Sequence, residues 1–278
     1  MGRIGNLVAV LSTAALAACA STTSPVNLES RTIAVTENAV PTSGAATAGS
    51  SVAHLVPAIG PTYVTLNVTA VDRFAEQKNR VKAPVTSGSG YVVDGSGYVM
   101  TAAHVAVDEG NAISARAANG KIYTGQVIAI NKANDMAIIK LRGYAGSAVQ
   151  PAATGCVNQG DLVFTLGKPH DQADTARIGA LESRHFGRAV SYGKFGYPDA
   201  MVLRMGTQKG ESGGPVFDGN GKLVGMVVST LSDAAGQSIN LAHAIPSTSL
   251  AHFLCSKTQC GGAWAALANR NVDDCSRA

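Results

Sequence analysis

Residues 89–105 read SGYVVDGSGYVMTAAHV, and the fold turns on how this stretch is read. Two runs rich in tyrosine and valine flank Asp94-Gly95-Ser96-Gly97, a four-residue turn signal, so the stretch predicts a β-hairpin. Its second strand ends in Thr-Ala-Ala and delivers His104 at the end of an apolar run. Outward from here the same grammar repeats. TYVTLNVTAV (62–71) precedes the hairpin, and KIYTGQVIAI (121–130), MAIIKL (136–141), DLVFTLG (161–167), ARIGALES (176–183), AMVLRM (200–205) and KLVGMVVST (222–230) follow it. The first sustained helical pattern is PSTSLAHFLCSK (246–257), which opens on a proline with serine and threonine as candidate caps. Short strands at this spacing, separated by glycine turns, predict an all-β barrel or sandwich.

A fainter internal echo divides the chain. SGYVVDGSGYV (89–99) and GGPVFDGNGKLV (213–224) share an apolar strand, an Asp-Gly-x-Gly turn and a second strand, which suggests two related barrels. Composition agrees. Only 14% of the 278 residues are charged, glycine occurs 31 times, and valine, isoleucine and threonine recur in short runs. The net charge of +4 comes from scattered basic residues, so a nucleic-acid partner is not expected.

The N-terminus reads as an address. Arg3 precedes an apolar run, LVAVLSTAALAA (7–18), too short to span a bilayer, and small residues follow. The sequence Leu16-Ala17-Ala18-Cys19 is similar to a bacterial lipoprotein signal, which implies removal of residues 1–18 and acylation of Cys19. Each buried methylene of such an anchor contributes about 0.8 kcal/mol, enough for durable membrane attachment when several chains are present. Ala20 in place of an aspartate points, by the same resemblance, to the outer membrane. Residues 19–61 are rich in Ser, Thr, Ala, Gly and Pro and are expected to act as a flexible tether, with His54 idle within it.

Four further cysteines, Cys156, Cys255, Cys260 and Cys275, are an even number in an exported chain, and two disulfides pinning the tail (259–278) are expected; three connectivities are open. His252, Cys255 and Cys260 lie close in sequence, but their spacing matches no standard zinc motif, so no metal site is expected.

Residues 210–215, GESGGP, place one hydroxyl among three glycines. Serine attacks a carbonyl only when a base takes its proton and donors await the developing oxyanion. A Gly-x-Ser turn supplies the exposed Ser212 hydroxyl together with the N–H groups of Gly210 and Ser212. Of the six histidines, His104 has the rigid strand-end setting that a base requires; His170, His185, His243 and His252 lack it.

Thr101-Ala102-Ala103-His104, Asn134-Asp135-Met136-Ala137-Ile138-Ile139-Lys140-Leu141 and Gly210-Glu211-Ser212-Gly213-Gly214-Pro215 resemble the three catalytic motifs of trypsin-like serine proteases, in the order His, Asp, Ser. Thr165-Leu166-Gly167-Lys168-Pro169 and Ala244-Ile245-Pro246 are similar to the HtrA/Deg branch. The resemblance covers residues 62–258 and implies two six-stranded antiparallel β-barrels (62–145 and 150–245) with a short C-terminal helix. It also implies Ser212 as nucleophile, His104 as base and then acid, Asp135 as orienter, and Gly210 and Ser212 N–H groups as the oxyanion hole. Asp94 and Asp161 are rivals to Asp135, which is preferred because MAIIKL would anchor it at a buried strand start. No cofactor is implied.

Three departures stand out. Trypsins carry an aspartate before the nucleophile that pairs with a newly cut N-terminus, whereas this chain has Glu211 and no Ile-Val-Gly-Gly start. Activation by N-terminal insertion is therefore not expected, and loops must order the oxyanion pocket; Lys209 is one candidate partner for Glu211, solvent the other. The residues after Ser212 are needed to finish the second barrel, so a PDZ module is not expected, and the oligomeric state is open. Gly206, six before the nucleophile, removes the acidic floor of a trypsin-like pocket. With Val228, Ser229 and Leu231 nearby, the expected preference is a small or medium apolar residue. The function implied is a membrane-anchored endopeptidase of the bacterial envelope acting on protein or peptide substrates, in processing or quality control of exported proteins, at the outer membrane facing the periplasm or cell surface. The alternative is a catalytically silent lipoprotein that uses the same barrels to bind a partner.

Overall fold

The computed structural model describes residues 23–28, 31–37, 45–70, 85–170 and 172–271. The expected signal segment 1–18, Cys19 and Cys275 lie outside them. At the N-terminus, β1 (Thr23–Leu28) and β2 (Arg31–Glu37) form an antiparallel hairpin, and α1 (Ala45–Ile59) follows. Within the span expected to be a flexible tether, residues 45–59 are thus helical. The Ser- and Ala-rich composition hides a helical stripe, Val52, Leu55, Val56 and Ile59, spaced to fall on one face. Val52 and Val56 are fully buried, while His54 faces solvent.

The first barrel closes in the order β3-β4-β5-β8-β7-β6, from β3 (Tyr63–Thr69), β4 (Thr86–Val92), β5 (Tyr98–Thr101), β6 (Ala112–Ala117), β7 (Ile122–Asn131) and β8 (Met136–Leu141). One helical turn, α2 (Ala103–Ala106), follows β5. The alternation expected of a barrel wall is plain in β7, where every second residue from Tyr123 to Ala129 is buried.

The second barrel uses β9 (Leu162–Gly167), β10 (Thr175–Ser183), β13 (Met201–Arg204), β14 (Pro215–Asp218), β15 (Leu223–Ser232) and β16 (Ser238–Pro246), in the order β10-β13-β16-β15-β14-β9, closed by β9 on β10. Between β10 and β13 stands a separate hairpin, β11 (Val190–Tyr192) and β12 (Phe195–Tyr197). β13 pairs with β10 only from Ala180 to Ser183, and β2 lies parallel against the preceding stretch, Thr175 to Ile178. The N-terminal hairpin therefore covers an edge that the barrel leaves unpaired. α3 (Ser247–Lys257) and α4 (Gly262–Ala268) end the described chain.

The two Asp-Gly-x-Gly hairpins are structural counterparts. Asp94 Oδ1 accepts from the N–H groups of Ser96 and Tyr98, and Asp218 Oδ1 accepts in the same way from Asn220 and Lys222. Cys255 and Cys260 are joined in a disulfide, so neither is a zinc ligand, and Cys156 is disulfide-bonded as well. The tail is held further by Trp264, whose indole N–H donates to Val93 O at 3.0 Å. No described helix is long and apolar enough to cross a membrane.

Candidate active site

β5 ends at Thr101, and the chain turns at once into α2, which presents His104 from the first barrel. Asp135 sits in the tight turn between β7 and β8 at φ 48°, a left-handed conformation that short polar side chains tolerate better than most. MAIIKL anchors that turn, its first four residues buried. The carboxylate of Asp135 is wholly removed from solvent. It accepts from His104 twice: the ring Nδ1 donates to Oδ2 at 2.8 Å, and the backbone N–H donates to Oδ1 at 2.9 Å. These bonds fix the ring so that Nε2 is left as the acceptor. Asp94 and Asp161 fall elsewhere, each bonding backbone N–H groups of its own turn.

Ser212 lies in the loop from β13 to β14. Its carbonyl accepts from Ser89 N–H at 2.9 Å, and the Ser89 hydroxyl donates to Gly210 O at 2.9 Å, so the loop is stitched to β4 of the first barrel. Closeness of this kind explains the glycines. Gly213 has φ 84°, and a Cβ there would lie 2.2 Å from Ser89 O; Gly210 has φ 97°, and a Cβ there would lie 2.4 Å from Lys168 O. The hydrogen bond of the Ser212 hydroxyl runs to Val228 O at 3.5 Å. Such sites often make the nucleophile–base bond only once substrate is in place. Among the described residues, neither Gly210 N–H nor Ser212 N–H donates to another group of the protein. Both remain free for a ligand oxygen.

Glu211 meets neither Lys209 nor solvent. It is fully buried, and Arg177, 3% exposed near the start of β10, directs its Nε at both carboxylate oxygens, at 2.7 and 2.8 Å. Gln208 N–H adds a bond at 2.5 Å, and Gly167 leaves room for the side chain: a Cβ there would lie 2.8 Å from Glu211 Cγ. Burial pushes the Glu211 carboxyl upward, and the Arg177 charge opposes that shift. An internal arginine is thus the cationic partner of the acidic residue before Ser212.

The remaining candidates divide. Gly206 and Val228 are buried beside the nucleophile loop, and Leu231 is half-buried. Ser229 turns the other way, its hydroxyl 2.8 Å from Tyr197 Oη, which in turn lies 2.8 Å from His243 Nδ1. Burial, with Arg188 nearby, holds His243 below the usual imidazole range. Two threonines unmarked in the sequence reading, Thr207 and Thr230, join their hydroxyls at 2.6 Å between the segment leading to Ser212 and β15. Also unforeseen were Ser89, Arg177 and Tyr192; the last reaches Asp135 from the β11–β12 hairpin. For Arg177 a signal existed, namely one charge inside the otherwise apolar strand TARIGAL. His170 and His185 sit at the surface, and His252 contacts Arg270 O. Among the described residues no three His, Cys, Asp or Glu side chains group to hold a metal ion.

Two barrels with a half-buried histidine on a buried aspartate in one and a glycine-cradled serine in the other define a chymotrypsin-like serine peptidase architecture. The chain belongs to the trypsin-like peptidase domain family, whose model matches residues 88–226, half of the chain. Its likeness within that family is to HtrA/DegP proteins. It is 32% identical over 167 residues to a probable periplasmic serine endoprotease, DegP-like, of Brucella suis, covering 59% of this chain and 31% of that one. A putative serine protease HhoA of Synechocystis sp. is 30% identical over 156 residues, 54% of this chain and 38% of that one. The chain therefore spans about a third of the length of the curated relatives it matches. Among solved structures, an HtrA-type protease, an AlgW variant with a tripeptide, superposes with a TM-score of 0.60 at 23% identity over 73% of this chain and 62% of that one. The MamO protease domain of Magnetospirillum magneticum gives 0.57 at 20% identity, over 70% and 97%.

Proposed function

We propose that this protein is an exported serine endopeptidase, tethered to the bacterial envelope through Cys19, that cleaves protein or peptide substrates by an acyl-enzyme route. Ser212 attacks the scissile carbonyl as His104 Nε2 takes its proton. Asp135 holds the imidazole and stabilises the imidazolium, and the N–H groups of Gly210 and Ser212 receive the oxyanion. His104 then protonates the leaving amine, and water repeats the sequence to release the acid. The observation that carries this reading is the His104–Asp135 pair beside a serine loop whose two N–H groups are unspent. The relatives described as probable periplasmic DegP-like serine endoproteases support a periplasmic setting; processing or clearing of exported proteins is the role proposed there.

The test is hydrolysis of an unstructured protein by the chain starting after Cys19. Cleavage is expected from the wild type and should be lost in Ser212→Ala, which removes the attacking hydroxyl. Equal hydrolysis by wild type and Ser212→Ala would contradict the assignment. In the full chain, Cys19→Ala should move the protein from the membrane to the soluble fraction of an expressing bacterium; retention on the membrane would remove the lipid anchor from the account.

A further inference from the structure

The hairpin β11–β12 belongs to the second barrel by sequence but lies against the first. Gly196 N–H donates to Lys132 O at 2.9 Å, in the turn that carries Asp135. Lys194 pairs with Asp108 at 3.1 Å, and Asp108 also pairs with Lys132. The hairpin is thus a strap crossing from one barrel to the other over the His–Asp pair. At its crossing point Tyr192 donates its phenol to Asp135 Oδ2, the oxygen that also accepts from His104 Nδ1. The Tyr192 ring stands edge-on to the His104 ring with centroids 5.6 Å apart, and its Oη lies 3.4 Å from Nδ1.

From this geometry we infer that Tyr192 is a positioning residue of the catalytic site, acting on His104 through Asp135; the inference rests on the base and orienter roles assigned above. The chemistry is that of a shared acceptor. A phenol donating to a carboxylate spreads its negative charge, so Asp135 attracts a protonated His104 less strongly than it would unaided. Removing the Tyr192 hydroxyl would therefore leave Asp135 to hold a protonated His104 more strongly. The strap also closes the buried side of the pair to water, since Asp135 has no exposed surface.

The ionisable groups around the pair are Tyr192 and Tyr197 on the strap, Lys132 before Asp135, and Lys194 and Asp108. The two lysines share the one aspartate. Burial raises both phenols, Tyr197 to about 12 and Tyr192 further, so both remain neutral donors through the working range. Tyr192 is the one among them bonded to the catalytic carboxylate.

Tyr192→Phe keeps the ring and removes the hydroxyl. Asp135 stays in place through its two remaining bonds from His104. The measurement is the His104 imidazole titration, followed by NMR in the folded chain starting after Cys19 and assigned with His104→Gln. In Tyr192→Phe the His104 pKa is expected to rise by about half a unit or more, a roughly threefold change in its protonation equilibrium. The acid limb of the pH–rate profile should move to higher pH by the same amount, with KM little changed. Tyr192→Ala, which also removes the ring, should shift the titration in the same direction. An unchanged His104 titration in both variants, with melting temperatures near wild type, overturns the role of Tyr192. Because the titration needs no turnover, this outcome is distinct from failure of the peptidase reading, which would appear as wild-type protein that titrates normally yet hydrolyses nothing.

Discussion

Arg177→Met is expected to cost at least about 100-fold in kcat, the loss typical of removing one oxyanion donor, although Arg177 contacts no substrate. Glu211 lies between the two residues proposed to supply the oxyanion N–H groups, and its carboxylate is held by Arg177 Nε and Gln208 N–H alone among the described residues. Methionine matches the bulk of arginine but leaves a buried carboxylate without a cation. Breaking a buried pair from one side is destabilising by about 3–5 kcal/mol. The loop escapes that cost by swinging Glu211 toward water, which takes Gly210 N–H and Ser212 N–H out of register. A double variant, Arg177→Met with Glu211→Leu, separates structure from catalysis. With both charges gone the burial penalty disappears, so most of the melting temperature should return while kcat stays low. Wild-type kcat in a folded Arg177→Met protein would mean that the glycines and Ser89 suffice to set the loop.

Ser212→Ala and His104→Ala carry the largest kinetic effect, on the order of 10⁶ in kcat each, and the double variant should be scarcely worse because nucleophile and base act as a unit. Neither change should disturb the fold. The Ser212 hydroxyl has one long bond, to Val228 O at 3.5 Å, and the loop is held by backbone groups that alanine retains. Kinetics with a residual rate far above background in Ser212→Ala would point to another nucleophile. A catalytically silent binding protein would instead show no difference among wild type and both variants.

The parts of this site that could be read from sequence are those in which function and local chain geometry coincide. His104 follows its strand directly, Asp135 precedes one, and Ser212 sits among glycines whose φ values and close contacts bear out the need for them. The paired Asp-Gly-x-Gly turns likewise carry their own hydrogen bonds, so both barrels left a local mark. What stayed hidden was long-range. Arg177 and Glu211 are 34 residues apart, and Tyr192 and Asp135 are 57 apart, with nothing in either neighbourhood that names the other. The segment 45–59 misled for a different reason: alanine, serine, glycine and threonine make up much of it, so its composition resembles a linker although four apolar side chains recur at helical spacing.

The most direct test of a chymotrypsin-like serine peptidase is reaction of the folded, disulfide-closed chain starting after Cys19 with a fluorophosphonate probe, alongside Ser212→Ala. Attack on phosphorus requires both an activated hydroxyl and a formed oxyanion pocket. Labelling of the wild type and not of the variant is the predicted result. Absence of label from both, in protein shown to be folded, would contradict it and favour a binding module built on a peptidase fold.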